Sequence, residues 1–166
     1  MNARQWIEHL GLTRHPEGGY YREVYRSQEI IKRAYLPERF SGDRCFATAI
    51  YFLLEGDDFS AFHRIRQDEI WHFYDGSPLT IHVISQDGGY STLALGRDAD
   101  AAQRPMAVVG AGDLFAAQVD EVSSFSLLGC TVAPGFDFAD FDMPGRDQLL
   151  REHTQHRDII ETLSRS

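Results

Sequence analysis

Between Cys45 and Val132 the chain is a succession of short apolar or alternating runs, each closed by a turn signal. Cys45–Leu54 stops at Glu55-Gly56-Asp57-Asp58, Phe59–Ile65 at Arg66-Gln67-Asp68, and Glu69–Tyr74 at Asp75-Gly76. Leu79–Ser85 and Tyr90–Leu95 flank Asp87-Gly88-Gly89, a hairpin signal because aspartate and glycine accept the positive φ of a tight turn. Met106–Val109, Leu114–Val119 and Ser124–Val132 follow, the last ended by Pro134-Gly135. Roughly eight strands at spacings of about 8–12 residues cannot bury their apolar faces singly. They require a closed all-β sandwich or barrel. Tyr20–Tyr25, aromatic and carrying β-branched Val24, adds one more strand.

The ends read differently. Ala3, Trp6, Ile7 and Leu10 fall on one helical face, with Asn2 as cap, Gln5 as its capping-box partner and Gly11 as stop. Leu149, His153, His156, Ile160 and Leu163 make a second helical stripe after Pro144. Gln28–Gly42 is polar, contains Pro37 and reads as a long loop. No repeat or linker divides the 166 residues, so residues 1–166 form one domain.

Charge narrows the partners. Sixteen Lys and Arg against 25 Asp and Glu leave a formal charge of −9, which repels the phosphate backbone and argues against nucleic acid. The longest apolar run, Phe46–Leu54, is far short of the ~20 residues that span a membrane. Met1–Ile7 lacks an apolar leader core, so a cytoplasmic protein is expected. Cys45 and Cys130 sit in apolar segments and read as buried, reduced thiols. Phosphate-cradling glycine loops, Cys-x-x-Cys and Gly-x-Ser-x-Gly are all missing. Both alternating faces of Phe46–Leu54 are apolar, so a terminal helix or a second subunit must cover the face turned from the core, and a homodimer is expected.

The chemistry concentrates in Gly56–Gly76. His63 and Glu69 lie on consecutive short strands joined by a tight turn, which in an antiparallel pair would set them about 5 Å apart. Alternation puts Ile65 on the face of His63, and Trp71 and Phe73 on the face of Glu69. Ile70, His72 and Tyr74 take the opposite face, which removes His72 from the site. An imidazole beside a carboxyl inside an aromatic barrel suits acid–base work, a metal site, or a structural hydrogen-bonded pair. Other polar groups read more plainly. His82 faces out or packs at an interface, and His153 and His156 form a polar helix stripe. Asp137, Asp140 and Asp142 form a solvated acidic turn without calcium-loop spacing. Arg64 and Arg66 are surface guanidiniums placed to steer an anion. Gly18-Gly19, beside Glu17, permits a close backbone approach at the start of the aromatic strand.

His63, Glu69 and Gly76 fall into the spacing of the first cupin motif, and the chain resembles the cupin superfamily. Ile65 stands where that motif has a second histidine, and Phe115 where the second motif has its histidine, so two of four usual metal ligands are missing. His15-Pro-Glu-Gly-Gly-Tyr-Tyr-Arg22, Ile50–Leu54, Phe62-His-Arg64, Asp68–His72 and Gly129–Phe136, in that order, look like the Cupin-5 family, formerly DUF985. The resemblance implies an all-β double-stranded β-helix, a jelly-roll barrel, usually paired as a dimer, with no established reaction. On this basis His63 and Glu69 are the candidate catalytic pair, and also the candidate ligands of any divalent metal. No cofactor is firmly indicated. Glu17, Tyr21, Arg22, Tyr51, Trp71, Phe73 and Phe115 are the candidate ligand-binding residues for a small molecule. The expected activity is metal-independent isomerisation or epimerisation. A metal-dependent oxygenase or isomerase, and a non-catalytic ligand-binding module, are the alternatives.

Overall fold

Asn2 accepts a hydrogen bond from the Gln5 backbone while Gln5 reaches back to the Asn2 N–H, and this capping box starts helix α1 (Ala3–Leu10). Gly11, in the left-handed region at φ 62°, ends it. The computed structural model describes residues 1–165. Twelve strands follow α1: β1 (Thr13–Arg14), β2 (Tyr20–Arg26), β3 (Ile30–Ile31), β4 (Arg44–Cys45), β5 (Thr48–Glu55), β6 (Phe59–His63), β7 (Asp68–Gly76), β8 (Leu79–Ile84), β9 (Tyr90–Leu95), β10 (Met106–Val109), β11 (Leu114–Val119) and β12 (Phe125–Ala133). Helices α2 (Arg146–Glu152) and α3 (Arg157–Leu163) close the chain.

Ten strands make two facing antiparallel sheets, ordered β1-β2-β5-β12-β7-β10 and β6-β11-β8-β9. Their inward side chains, among them Phe52, Leu54, Trp71, Phe73, Ile81, Phe115 and Leu128, form one core. This is the predicted jelly-roll barrel. Each sheet's outer face receives a terminal helix. Helix α1 lays Trp6, Ile7 and Leu10 on Leu53 and Leu127, and Trp6 Nε1 donates to Asp75 at 2.9 Å. Helices α2 and α3 lay Leu149, Ile160 and Leu163 on Phe62, Ile84 and Ala116. Among the described residues, no helix is long and apolar enough to cross a membrane.

The structure corrects four readings. The region 28–42 is not all loop, because Ile30–Ile31 pairs with Arg44–Cys45 and Arg33–Tyr35 makes a 3-10 turn. Cys45 and Thr48 belong to separate strands, so the run 45–54 bends where the chain leaves that small ribbon. The C-terminal stripe is not one helix: at His153 the backbone leaves helical geometry (φ −130°, ψ 55°) and the chain restarts through a 3-10 turn into α3. Most important, β6 and β7 are not a hairpin. Residue His63 pairs with Phe115 on β11, whereas Glu69 pairs with Val132 and Val109 in the other sheet. The connection after His63 crosses between the sheets, so the two side chains meet across the barrel, not along a ladder.

Candidate functional site

A cavity of about 510 Å³ opens between the sheets. His63, Ile65 and Glu69 line it, as alternation requires. The unexpected member is the partner of His63. Its Nε2 lies 3.0 Å from Oε2 of Glu17, while its Nδ1 donates to the Ala61 carbonyl at 2.7 Å. The other Glu17 oxygen accepts from Ser60 at 2.9 Å. Glu17, His63 and Ser60 are all buried.

Local sequence places Glu17. It sits in the turn between β1 and β2, where Gly18 and Gly19 hold φ values of 124° and 70°. A Cβ on Gly18 would run into the Phe59 carbonyl, and one on Gly19 would lie 2.6 Å from the Leu53 carbonyl. The glycines therefore let the turn close on the barrel wall, and Ala61 N–H then donates to the Glu17 carbonyl at 2.9 Å.

Ionisation follows this geometry. Burial opposes charge on His63, but the charge and hydrogen bond of Glu17, the charge of Glu69 and the Ala61 carbonyl outweigh it and raise its pKa. Burial likewise opposes charge on Glu17, yet His63, His15 and Ser60 prevail and hold the carboxyl below its ordinary range. Both shifts favour the charged form of the group, so the geometry favours an imidazolium–carboxylate pair. Glu69 differs. Burial, with the negative charge of Glu17, pushes its carboxyl up to about 7 against the pull of His63 and the Cys130 thiol. Burial first, and then Glu69, pushes the Cys130 thiol well up, so it stays protonated. Burial also lowers His15, helped by the charge of His63 against the pull of Glu17. His15 Nδ1 lies 3.5 Å from Glu17 Oε2 but accepts the closer Glu17 N–H at 3.3 Å, which assigns the neutral ring's proton to Nε2.

Of the residues singled out in the sequence, Glu17, Tyr21, His63 and Glu69 line this cavity. Trp71, Phe73 and Phe115 are buried in the core behind it, and Phe115 touches the site only through its ring, 4.1 Å from that of His63. Arg22 and Tyr51 lie on the outer face. Arg22 donates to the Leu10 carbonyl, and Tyr51 packs near α1 and Tyr74. Strand alternation explains both, since Tyr21 and Phe52 point inward. His72 also points outward, to Thr131 at 3.2 Å. His82 is buried, with Nδ1 2.7 Å from the Tyr90 hydroxyl.

The structure adds residues that spacing did not bring forward. His15 and Cys130 line the cavity, as do the rings of Phe136, Phe138 and Phe141. Phe141 lies 5.4 Å from the His63 ring and 6.1 Å from that of His15. The acidic turn that carries these rings is not simply solvated. Asp140 is buried and takes two hydrogen bonds from Arg44, at 2.6 and 2.5 Å, and one from Gln67 at 2.7 Å. Arg64 pairs with Asp142 on the same turn, and Arg66 donates to the Arg39 carbonyl. The repeated Phe and Asp of Phe136–Asp142 were the legible signal: rings for the cavity, carboxyls for the anchors.

The barrel and its paired inner sheets define a protein of the cupin superfamily. The chain belongs to the Cupin_5 family (DUF985), whose model matches residues 4–144. A crystal structure of a Shewanella oneidensis protein is similar over 99% of this chain and 98% of its own, at 40% identity and TM-score 0.88. A hypothetical protein from Leishmania major is similar over the whole of both chains, at 32% identity and TM-score 0.92. Bacillus subtilis oxalate decarboxylase shares the fold alone, at 13% identity and TM-score 0.54, over 90% of this chain and 36% of that one. No curated protein matches the chain.

That decarboxylase carries Mn(II) centres, which raises the question of a metal here. The donor set does not fit one. Ile65 and Phe115 put hydrocarbon at two ligand positions, and His63 Nε2 is engaged by Glu17. Among the described residues, no group of three or more His, Cys, Asp or Glu side chains is arranged to hold an ion, whereas a catalytic transition metal ordinarily takes three protein ligands.

Proposed function

We propose that the barrel binds a small molecule in this cavity and moves a proton on it, as an isomerase or epimerase that works without a metal. The observation that carries the reading is the opposition of two unlike groups. Glu69, with its carboxyl near 7, is ready to take or give a proton at neutral pH, and His63, paired with Glu17 of the β1–β2 turn, faces it from the other sheet. Glu69 in its ionised form removes a proton from the carbon beside a carbonyl. As charge grows on the carbonyl oxygen, the His63 imidazolium stabilises it, sharing its Nε2–H between Glu17 and that oxygen. Glu69 then returns the proton to the neighbouring atom, which completes an isomerisation, or to the same carbon after the intermediate has turned its other face to Glu69, which completes an epimerisation. Phe141 and its companion rings give the wall beside His63 an apolar surface.

Exchange in deuterium oxide tests this. Aryl ketones and α-hydroxy ketones are incubated with the protein, and deuterium incorporation beside the carbonyl is followed by proton NMR. Incorporation that disappears in Glu69→Gln is the expected result. Incorporation at the wild-type rate in Glu69→Gln, or none with any ketone that the protein binds, would overturn the proton-transfer role and leave a binding module.

A further inference from the structure

We propose that the ligand of this cavity is uncharged and planar, an aryl or unsaturated carbonyl compound, and that the site rejects carboxylate and phosphate anions. This rests on the reading of the cavity as a ligand site and names the class it takes.

Among the described residues, two cationic side chains face the cavity, Arg26 and His63. Each already has a carboxylate. Glu23 takes Nε and Nη2 of Arg26 at 2.9 and 2.7 Å, and the Phe136 carbonyl takes a third bond at 3.1 Å. Glu17 takes His63. What remains is Glu69 inside and Asp137 at the mouth. An entering anion therefore loses its hydration, meets no free counter-charge and approaches carboxyl groups. A cation fares little better at depth, because the charge of Glu17 is already balanced by His63.

The hydrogen-bonding groups left over fit an oxygen acceptor. His15 carries its ring proton on Nε2, which meets no acceptor among the described residues, and the Cys130 thiol and the protonated Glu69 carboxyl are donors too. The remaining wall is aromatic: Phe52 and Tyr21 on the sheet, and Phe136, Phe138 and Phe141 on the anchored turn. Rings in edge and face contact receive a flat apolar body better than a branched or hydrated one. The volume of about 510 Å³ lies within the range of small-molecule sites.

Three probes of nearly one shape separate the charge classes: benzamide, benzoate and benzamidine. Each is titrated into the wild-type protein at neutral pH, with the ring signals of His63 followed by nitrogen-15 NMR. We expect benzamide to move those signals and to bind at least ~10-fold more tightly than benzoate, a difference of about 1.4 kcal/mol, and more tightly than benzamidine. Benzoate or benzamidine moving the same signals with equal or higher affinity would overturn the charge assignment and leave the cavity as a ligand site. If none of the three moves them, the cavity-binding reading fails and this inference falls with it. Glu23→Gln, at the half-exposed mouth, frees Arg26 and should narrow the benzamide-to-benzoate gap several-fold. An unchanged gap would overturn the assignment of Arg26's neutrality to Glu23.

Discussion

Nε2 of His63 and Oε2 of Glu17 lie 3.0 Å apart, and this pair joins a turn before the barrel to a strand of the four-stranded sheet. Nδ1 is held by the Ala61 carbonyl, so the Nε2–H toward Glu17 is the donor that the imidazolium can share with a ligand. Glu69 is then the group left free to exchange a proton. The notion of a His63–Glu69 couple becomes a three-group arrangement, with Glu17 setting the charge of His63 and His63 setting part of the field at Glu69.

This arrangement predicts a specific coupling. Double-mutant cycles with Glu17→Gln and His63→Gln should return a coupling energy of about 1–3 kcal/mol in urea unfolding, the value of a buried charge-assisted hydrogen bond. The cycle between His63→Gln and Glu69→Gln should return less, since no hydrogen bond joins them. Equal coupling in both cycles would show that the ion pair is not the dominant contact of His63.

The aromatic turn over the cavity makes a second case. Asp140 is buried against Arg44 and Gln67, and this contact anchors the middle of residues 136–142, while Thr48 and Arg64 hold its two ends. Asp140→Ala leaves the Arg44 charge buried and unpaired, which should cost about 3–5 kcal/mol. Hydrogen exchange at Asp140 and Phe141, whose N–H groups bond to carbonyls within the turn, should rise before exchange in β12 does. A loss of stability under about 1 kcal/mol would show that Arg44 finds another partner or water.

How much of this was legible depends on which physical rule was asked. Alternation assigns a side chain to a face, and it placed Glu69, Trp71 and Phe73 inward and His72 outward. The runs Met106–Val109 and Leu114–Val119 are strands at the bounds their sequence shows, because the Gly110-Ala111-Gly112-Asp113 turn separates them. Alternation does not say which sheet a strand joins. A turn of Arg66-Gln67-Asp68 reads as a hairpin, and only the pairing of His63 with Phe115 reveals a crossover. Glu17 stands out beside its two glycines, yet its contact with His63 depends on tertiary closure that no local pattern encodes. Asp140 looked like surface because its two anchors, Arg44 and Gln67, are far from it in sequence.

Assembly is the third prediction. Helix α1 covers only part of the outer face of the six-stranded sheet. Tyr74, Met106 and Val108, on β7 and the edge strand β10, remain 41%, 54% and 49% exposed. Apolar side chains beside an unpaired strand edge invite a second copy. Sedimentation equilibrium should give about twice the 18.9 kDa chain mass. Val108→Lys should shift that equilibrium to monomer with the fold retained by circular dichroism. A wild-type protein that stays monomeric at micromolar concentration would sink the dimer.

The last prediction concerns pH, and its sign comes from Glu69. Its carboxyl moves from 4.5 in the open chain to about 7 in the barrel, chiefly through burial and the neighbouring Glu17 charge. Between those values the native state holds a proton that the unfolded chain has released, so stability falls as pH rises. The contribution is whole below about 4.5 and gone above about 7, an amount of about 3 kcal/mol. Other groups titrate nearby. His63, with a raised pKa, loses its contribution in the same direction, while Glu17, held low, loses its own as pH falls. Burial lowers His15 and His82, which opposes the Glu69 trend because each must charge as pH falls. The clean quantity is therefore the difference between wild type and Glu69→Gln. Glutamine copies the neutral carboxyl and cannot ionise. The two proteins should be of similar stability near about pH 5, and the variant should gain steadily until it is about 3 kcal/mol more stable near about pH 8. Urea midpoints across that span measure it, at constant ionic strength. A difference that does not change with pH would place Glu69 in contact with water and remove it as the proton-transferring group.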